Sequence, residues 1–101
     1  MAKSSVFVTS LALIHLKESF DWYESQQTSL GEKFRFEVRE CIDRLTTKSV
    51  DYQAYYKSIR KVELKQFPYH LYYKREPERI VILALFHIKR NPSEIRRLLK
   101  Q

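Results

Sequence analysis

Seven residues in the last quarter of this chain restrict its fold more than any others. Ile80 to Phe86 reads IVILALF and is apolar at every position. Ile80, Ile82, Ala84 and Phe86 fall on one strand parity, and Val81, Leu83 and Leu85 on the other. A strand apolar on both parities is central in its sheet and covered on both faces. The run is far short of the roughly 18 apolar residues that a membrane helix needs. The rest of the chain must therefore supply neighbouring strands and covering layers.

The neighbouring strands lie just upstream. Ile59 to Gln66 alternates, with Val62 and Leu64 on one side and Lys61, Glu63 and Lys65 on the other, which predicts a half-buried strand. Phe67-Pro68 ends it, because proline cannot donate to a ladder. Tyr69 to Lys74 reads as the next strand, Arg75-Glu76-Pro77-Glu78 as a polar turn, and Arg79 to Ile88 as the central strand. After it, Asn91 as N-cap, Pro92 at the first helical position and Glu94 in the first turn start a short helix. Ile95, Leu98 and Leu99 form its apolar face, and Arg96, Arg97 and Lys100 the other.

The first half supplies a cover. Ser5 to Thr9 reads as a strand around Val6, Phe7 and Val8. Ala12, Leu16, Phe20 and Tyr23 then recur at helical spacing to about Gln26, with Ser10 as the expected N-cap. Ser29 and Glu32 match a capping box, and Leu30, Phe34, Val38, Cys41, Ile42 and Leu45 share one face of a second helix to about Lys48. The short connection predicts an antiparallel helical hairpin, with Trp22 packed against the second helix. Ser49 to Lys57, holding Tyr52, Tyr55 and Tyr56, reads as an irregular connector. The expected class is α+β, in the order β-α-α-β-β-β-α. An antiparallel sheet is covered by the hairpin, and residues 1–101 form one domain.

Charge is unevenly placed. Residues 1–56 carry 7 Lys/Arg against 8 Asp/Glu, and residues 57–101 carry 12 against 4. The excess cation suits nucleic acid or an acidic protein partner, and the plain alternative is a solvated basic face. Cys41 is the sole cysteine, which excludes an internal disulfide and fits a reducing cytoplasm. No secretion leader is expected. His15, His70 and His87 lack metal-ligand spacing, and one glycine cannot build a phosphate-cradling loop, so no metal or cofactor is expected.

Several stretches together resemble the RelE/ParE superfamily, the toxins of type II toxin–antitoxin systems. Ala12, Leu16, Trp22-Tyr23-Glu24, Leu30-Gly31 and Phe34 look like its helical hairpin. Ile59-Arg60, Phe67-Pro68-Tyr69 and Tyr72-Tyr73 look like its middle strands. ILALFHIKRNP, from Ile82 to Pro92, looks like the closing strand of the ParE-like, plasmid-stabilisation subgroup. The resemblance implies a bacterial cytoplasmic growth inhibitor held by an acidic cognate antitoxin. ParE-like members poison DNA gyrase, whereas RelE-like members cut mRNA on the ribosome. A member that binds antitoxin without toxicity is a third reading.

Cutting RNA by 2′-OH attack requires a base, an acid and cations for the phosphorane. His87 is the group that titrates near neutrality beside Lys89 and Arg90, and Arg60 is the cation placed on an apolar parity. These two are the expected catalytic pair if the protein is a nuclease, with Glu63, Tyr72 and Tyr73 as further acid–base candidates. The bland readings are a hydrogen-bonded His87 at the strand end, and an Arg60 paired with Glu37 or Glu40. Lys61, Lys65, Lys89, Arg90, Arg96 and Arg97 are the expected contacts to the target or to nucleic acid, or else a solvated face. The closing segment departs from the RelE nuclease pattern, so gyrase is the first expected target and ribosome-bound mRNA the second.

Overall fold

A computed structural model describes residues 5–47 and 52–100. The chain runs β1 (Ser5–Val8), α1 (Ser10–Gln26), α2 (Leu30–Thr47), β2 (Gln53–Tyr56), β3 (Ile59–Glu63), β4 (Tyr69–Glu76), β5 (Arg79–His87) and α3 (Pro92–Leu99). The α+β class, the helical hairpin and the short terminal helix are those expected. The five strands lie in the order β1-β5-β4-β3-β2. No helix among the described residues is long and apolar enough to cross a membrane.

Two expectations about the sheet change. The connector contains a strand: β2 pairs antiparallel with β3 through Gln53↔Lys61 and Ala54↔Arg60. Its first residues, 49–51, lie outside the described residues, as does the helix end expected at Lys48. Four residues with an irregularity in their pairing leave too short an alternation to read. The sheet is also not wholly antiparallel, because β1 runs parallel to β5. The intervening α1–α2 hairpin is the long crossover that parallel strands need.

The central strand holds a bulge that sequence parity cannot show. Tyr72 pairs with Ala84, but Tyr73 pairs with Ile82, so Leu83 is an extra residue and the face alternation reverses there. Ile80, Ile82 and Leu85 therefore enter one core with Leu71, Tyr73, Phe34, Val38, Cys41 and Leu45 under the hairpin. Ala84 and Phe86 enter the other core with Ile59, Tyr72 and Ile95 under α3. The strand is covered on both faces, as its composition requires.

The helices are capped differently from the sequence reading. Thr9, rather than Ser10, is the N-cap of α1, its hydroxyl accepting the Ala12 N–H at 3.2 Å. The same hydroxyl donates to the Leu83 carbonyl at 2.9 Å, tying the helix start to the bulge. Thr9→Val, which keeps shape and loses both bonds, is expected to destabilise by about 1–2 kcal/mol in urea unfolding. Neither Ser29 nor Glu32 behaves as a reciprocal box. The Glu24 carboxylate accepts the Ser29 and Gly31 N–H groups, each at 2.9 Å, and Glu32 turns to Arg35. Asn91 caps α3 as expected, accepting the Ser93 N–H at 2.9 Å. Trp22 is not buried against α2 as expected; it is 56% exposed, edge-on to Tyr23 of its own helix.

Candidate functional site

The sheet separates the residues that the sequence brings forward. Arg60 pairs in register with Tyr73, on the hairpin face. It meets neither Glu37 nor Glu40; its guanidinium donates to the Tyr52 carbonyl at 2.9 Å, while the Tyr73 hydroxyl accepts the Tyr52 N–H at 3.0 Å. The two side chains together fix the entry into β2. Glu37 is engaged elsewhere, by the Gln66 N–H at 2.8 Å.

His87 pairs in register with Tyr69, also on the hairpin face. Its ring stands 5.2 Å from the Tyr69 ring, at the end of an aromatic cluster with Tyr23, Phe34 and Phe67. Its Nδ1 accepts the Lys89 N–H at 3.1 Å. Burial and Tyr69 push the Tyr23 hydroxyl up to about 12, so this phenol stays protonated at neutral pH. His87 lies five residues beyond Ile82, the residue opposite Tyr73, and two strands across from Arg60. At about 3.3 Å per residue and about 4.8 Å per strand, the Cα atoms of Arg60 and His87 are separated by roughly 19 Å. Each side chain is engaged locally, Arg60 by the Tyr52 carbonyl and His87 by the Lys89 N–H, so the two do not converge on one point.

The basic residues divide as well. Lys65 lines a depression beside α2 with Glu37, Glu40 and Arg44. Lys61 lies on the opposite face of the sheet, in register with Tyr72. Arg90 stacks on Phe86 on that second face, 5.2 Å from the ring centroid, and pairs with Glu94. Lys89 is exposed on the turn before α3, and Arg96 and Arg97 are exposed on α3 itself, whose Ile95 is buried against the sheet. The second face thus carries Lys61, Arg90 and the basic helix together, and leaves Arg60, His87 and Lys65 behind it.

That face also carries a group that the sequence reading did not assemble. Val62 pairs with Leu71, which sets Glu63 opposite His70. The His70 Nε2 is 3.6 Å from the Glu63 Oε1. Burial first, and Lys61 second, hold His70 below its ordinary value, with Glu63 opposing them. Lys61 lies over the Tyr55 ring at 5.4 Å, and Tyr55 packs edge-on against Tyr72 at 5.1 Å. Burial and Tyr55 raise the Tyr72 hydroxyl to about 12. A neutral imidazole, a carboxylate, an ammonium and a phenol are thereby grouped on one surface, chemistry that can accept a proton beside a cation. The signal was present: Glu63 and His70 lie on the two strands that the Phe67-Pro68 break joins. Tyr73, by contrast, is fully buried under the hairpin and plays no part at this surface.

Among the described residues, no group of three or more His, Cys, Asp or Glu side chains is placed to hold a metal. Cys41 is buried in the core, which raises its thiol above the ordinary range.

Comparison with known proteins agrees with the topology. A family model for the ParE toxin of the type II toxin–antitoxin system parDE matches residues 6–92. A chain of the chromosomal ParDE toxin–antitoxin system from P. aeruginosa superposes with a TM-score of 0.73 at 17% identity, over 84% of this chain and 96% of that one. The isolated E. coli RelE toxin superposes with a TM-score of 0.52 at 14% identity, over 95% of this chain and 99% of that one. Both likenesses concern the fold. A comparison with curated proteins finds no similar sequence. With the family model covering residues 6–92, the chain belongs to the ParE toxin family of type II toxin–antitoxin systems.

Proposed function

We propose that this protein is a growth-inhibiting toxin that acts in the bacterial cytoplasm by binding DNA gyrase, and that an acidic cognate antitoxin neutralises it. The observation that carries the binding reading is the separation of Arg60 from His87. Each is committed to the scaffold, Arg60 to the Tyr52 carbonyl and His87 to the Lys89 N–H and the Tyr69 ring. The surface left for a partner is the second sheet face with Lys61, Arg90, Arg96 and Arg97. Its charge suits an acidic partner, because residues 57–101 hold 12 Lys/Arg against 4 Asp/Glu.

A second reading rests on one specific observation, the grouping of His70, Glu63, Lys61 and Tyr55. It is a ribosome-dependent mRNA endonuclease in which His70 takes the 2′-OH proton and Lys61 stabilises the phosphorane. One experiment separates the two. The protein is expressed without antitoxin, and growth, ribosome-bound message and gyrase–DNA breaks are followed. Arrest with intact message and accumulated breaks is the expected result. Message that is cut by the wild type and intact with His70→Gln or Lys61→Ala would replace the gyrase reading with the nuclease one.

A further inference from the structure

We propose that a pocket at the turn between β2 and β3 binds a phosphoryl group. The cavity has a volume of about 330 Å³. Lys57 comes to it from the turn, Lys74 from β4 and Lys100 from the C-cap of α3, and Ser58 adds a hydroxyl. Leu83 and Leu99 line its apolar part, and among the described residues no carboxylate lines it. Three lysines from three elements border one cavity, and cations gathered around a shared space favour an anion in it.

The ordinary duties of these lysines do not explain the grouping. Lys100 complements the carbonyl end of α3. Lys74 stands 3.5 Å from Glu76, a carboxylate that also takes Arg79 at 2.7 Å. Glu76 is held below its ordinary value chiefly by the Arg79 hydrogen bond, which leaves Lys74 a shared partner. Lys57 is the informative one. It is the first residue of a two-residue hairpin turn and has φ 53. Glycine, asparagine or aspartate fits that conformation better, and a long side chain there carries a backbone cost. Its ammonium lies 5.4 Å from the centroid of the Tyr56 ring, which lines the same pocket. A phosphate ester with an apolar or planar part therefore fits better than a bare small anion. The pocket lies outside the His70 group and stands independently of the gyrase reading.

The test is titration of the full chain with ADP, with pyrophosphate and with a single-stranded oligonucleotide, followed by backbone-amide NMR and calorimetry at low salt. Binding should move the amides of Lys57, Ser58, Lys74 and Lys100. Lys57→Gly should weaken it about tenfold, the loss of one charge-assisted contact, with no fall in melting temperature, since glycine relieves the φ. Lys74→Gln should weaken it by a similar factor, whereas Lys65→Gln, on the other side of the sheet, should leave it unchanged. Preference for ADP identifies a free nucleotide as the source, and preference for the oligonucleotide identifies a nucleic-acid backbone. The proposal is overturned if none of the three probes binds. It is overturned equally if Lys57→Gly and Lys74→Gln bind like the wild type, or if Lys65→Gln weakens binding as much as they do.

Discussion

Gly31→Ala should destabilise the protein by about 2 kcal/mol, although the substitution normally strengthens a helix. Alanine in a helix interior is favoured over glycine by about 1 kcal/mol. At Gly31 that gain is outweighed by crowding. A Cβ there would lie 2.8 Å from the Phe20 carbonyl oxygen and 2.8 Å from the Glu24 Oε1. The first is backbone and cannot swing away, so the two helices must part. Overpacking of this kind costs about 1–3 kcal/mol. Displacing the Glu24 carboxylate would also release the Ser29 and Gly31 N–H groups, a lost cap worth about 1 kcal/mol. The balance corresponds to a fall of about 10 °C in melting temperature for a domain of this size. Combining the change with Glu24→Ala removes the side-chain clash but not the clash with Phe20. The double variant should therefore recover little stability. A melting temperature at or above the wild-type value for Gly31→Ala would show that the hairpin tolerates a wider spacing.

His15→Leu should cost a similar amount, about 2 kcal/mol, and should also flatten the dependence of stability on pH. His15 is 9% exposed, and its Nδ1 accepts the N–H of Leu85 at 3.2 Å. Beyond the end of β1, that N–H has no strand to donate to, so α1 serves the edge of β5 through a side chain. Leucine fills the space and leaves the amide unpaired, which costs about 1–3 kcal/mol. The groups facing the ring are Phe86 at 4.7 Å, Arg90 and Glu18. Burial first, and Arg90 second, lower His15 from 6.5, with Glu18 opposing. Below pH 6.5 the unfolded chain therefore takes up a proton more readily than the folded one. Stability is full above that value, declines as pH falls through the lowered folded value, and levels off beneath it. His70 is lowered too and adds to the decline. His15→Asn keeps an acceptor near the Nδ1 position and removes the titration, so its slope should equal that of His15→Leu at higher stability. Equal slopes in wild type and both variants would show that His15 is not the group responsible.

The sequence alone determined the layers. IVILALF needs cover on both faces, and the helical periods of Ala12–Tyr23 and Leu30–Leu45 supply one cover; that Ile95, Leu98 and Leu99 supply the other came from the structure. Each is a repeating pattern, and repetition survives local irregularity. The features that only the tertiary structure decided are single events. One extra residue, Leu83, reverses the alternation along β5, so Leu85 and Phe86 lie on the opposite sides from those their parity predicts. Two hydrogen bonds at Tyr52 make Arg60 part of the scaffold. Register places Glu63 beside His70, and the end of α3 brings Lys100 to Lys57 and Lys74. Periodicity records which residues are buried, because burial scales with apolar area. Pairing across the sheet depends on register and turns, and one inserted residue shifts these without altering the composition.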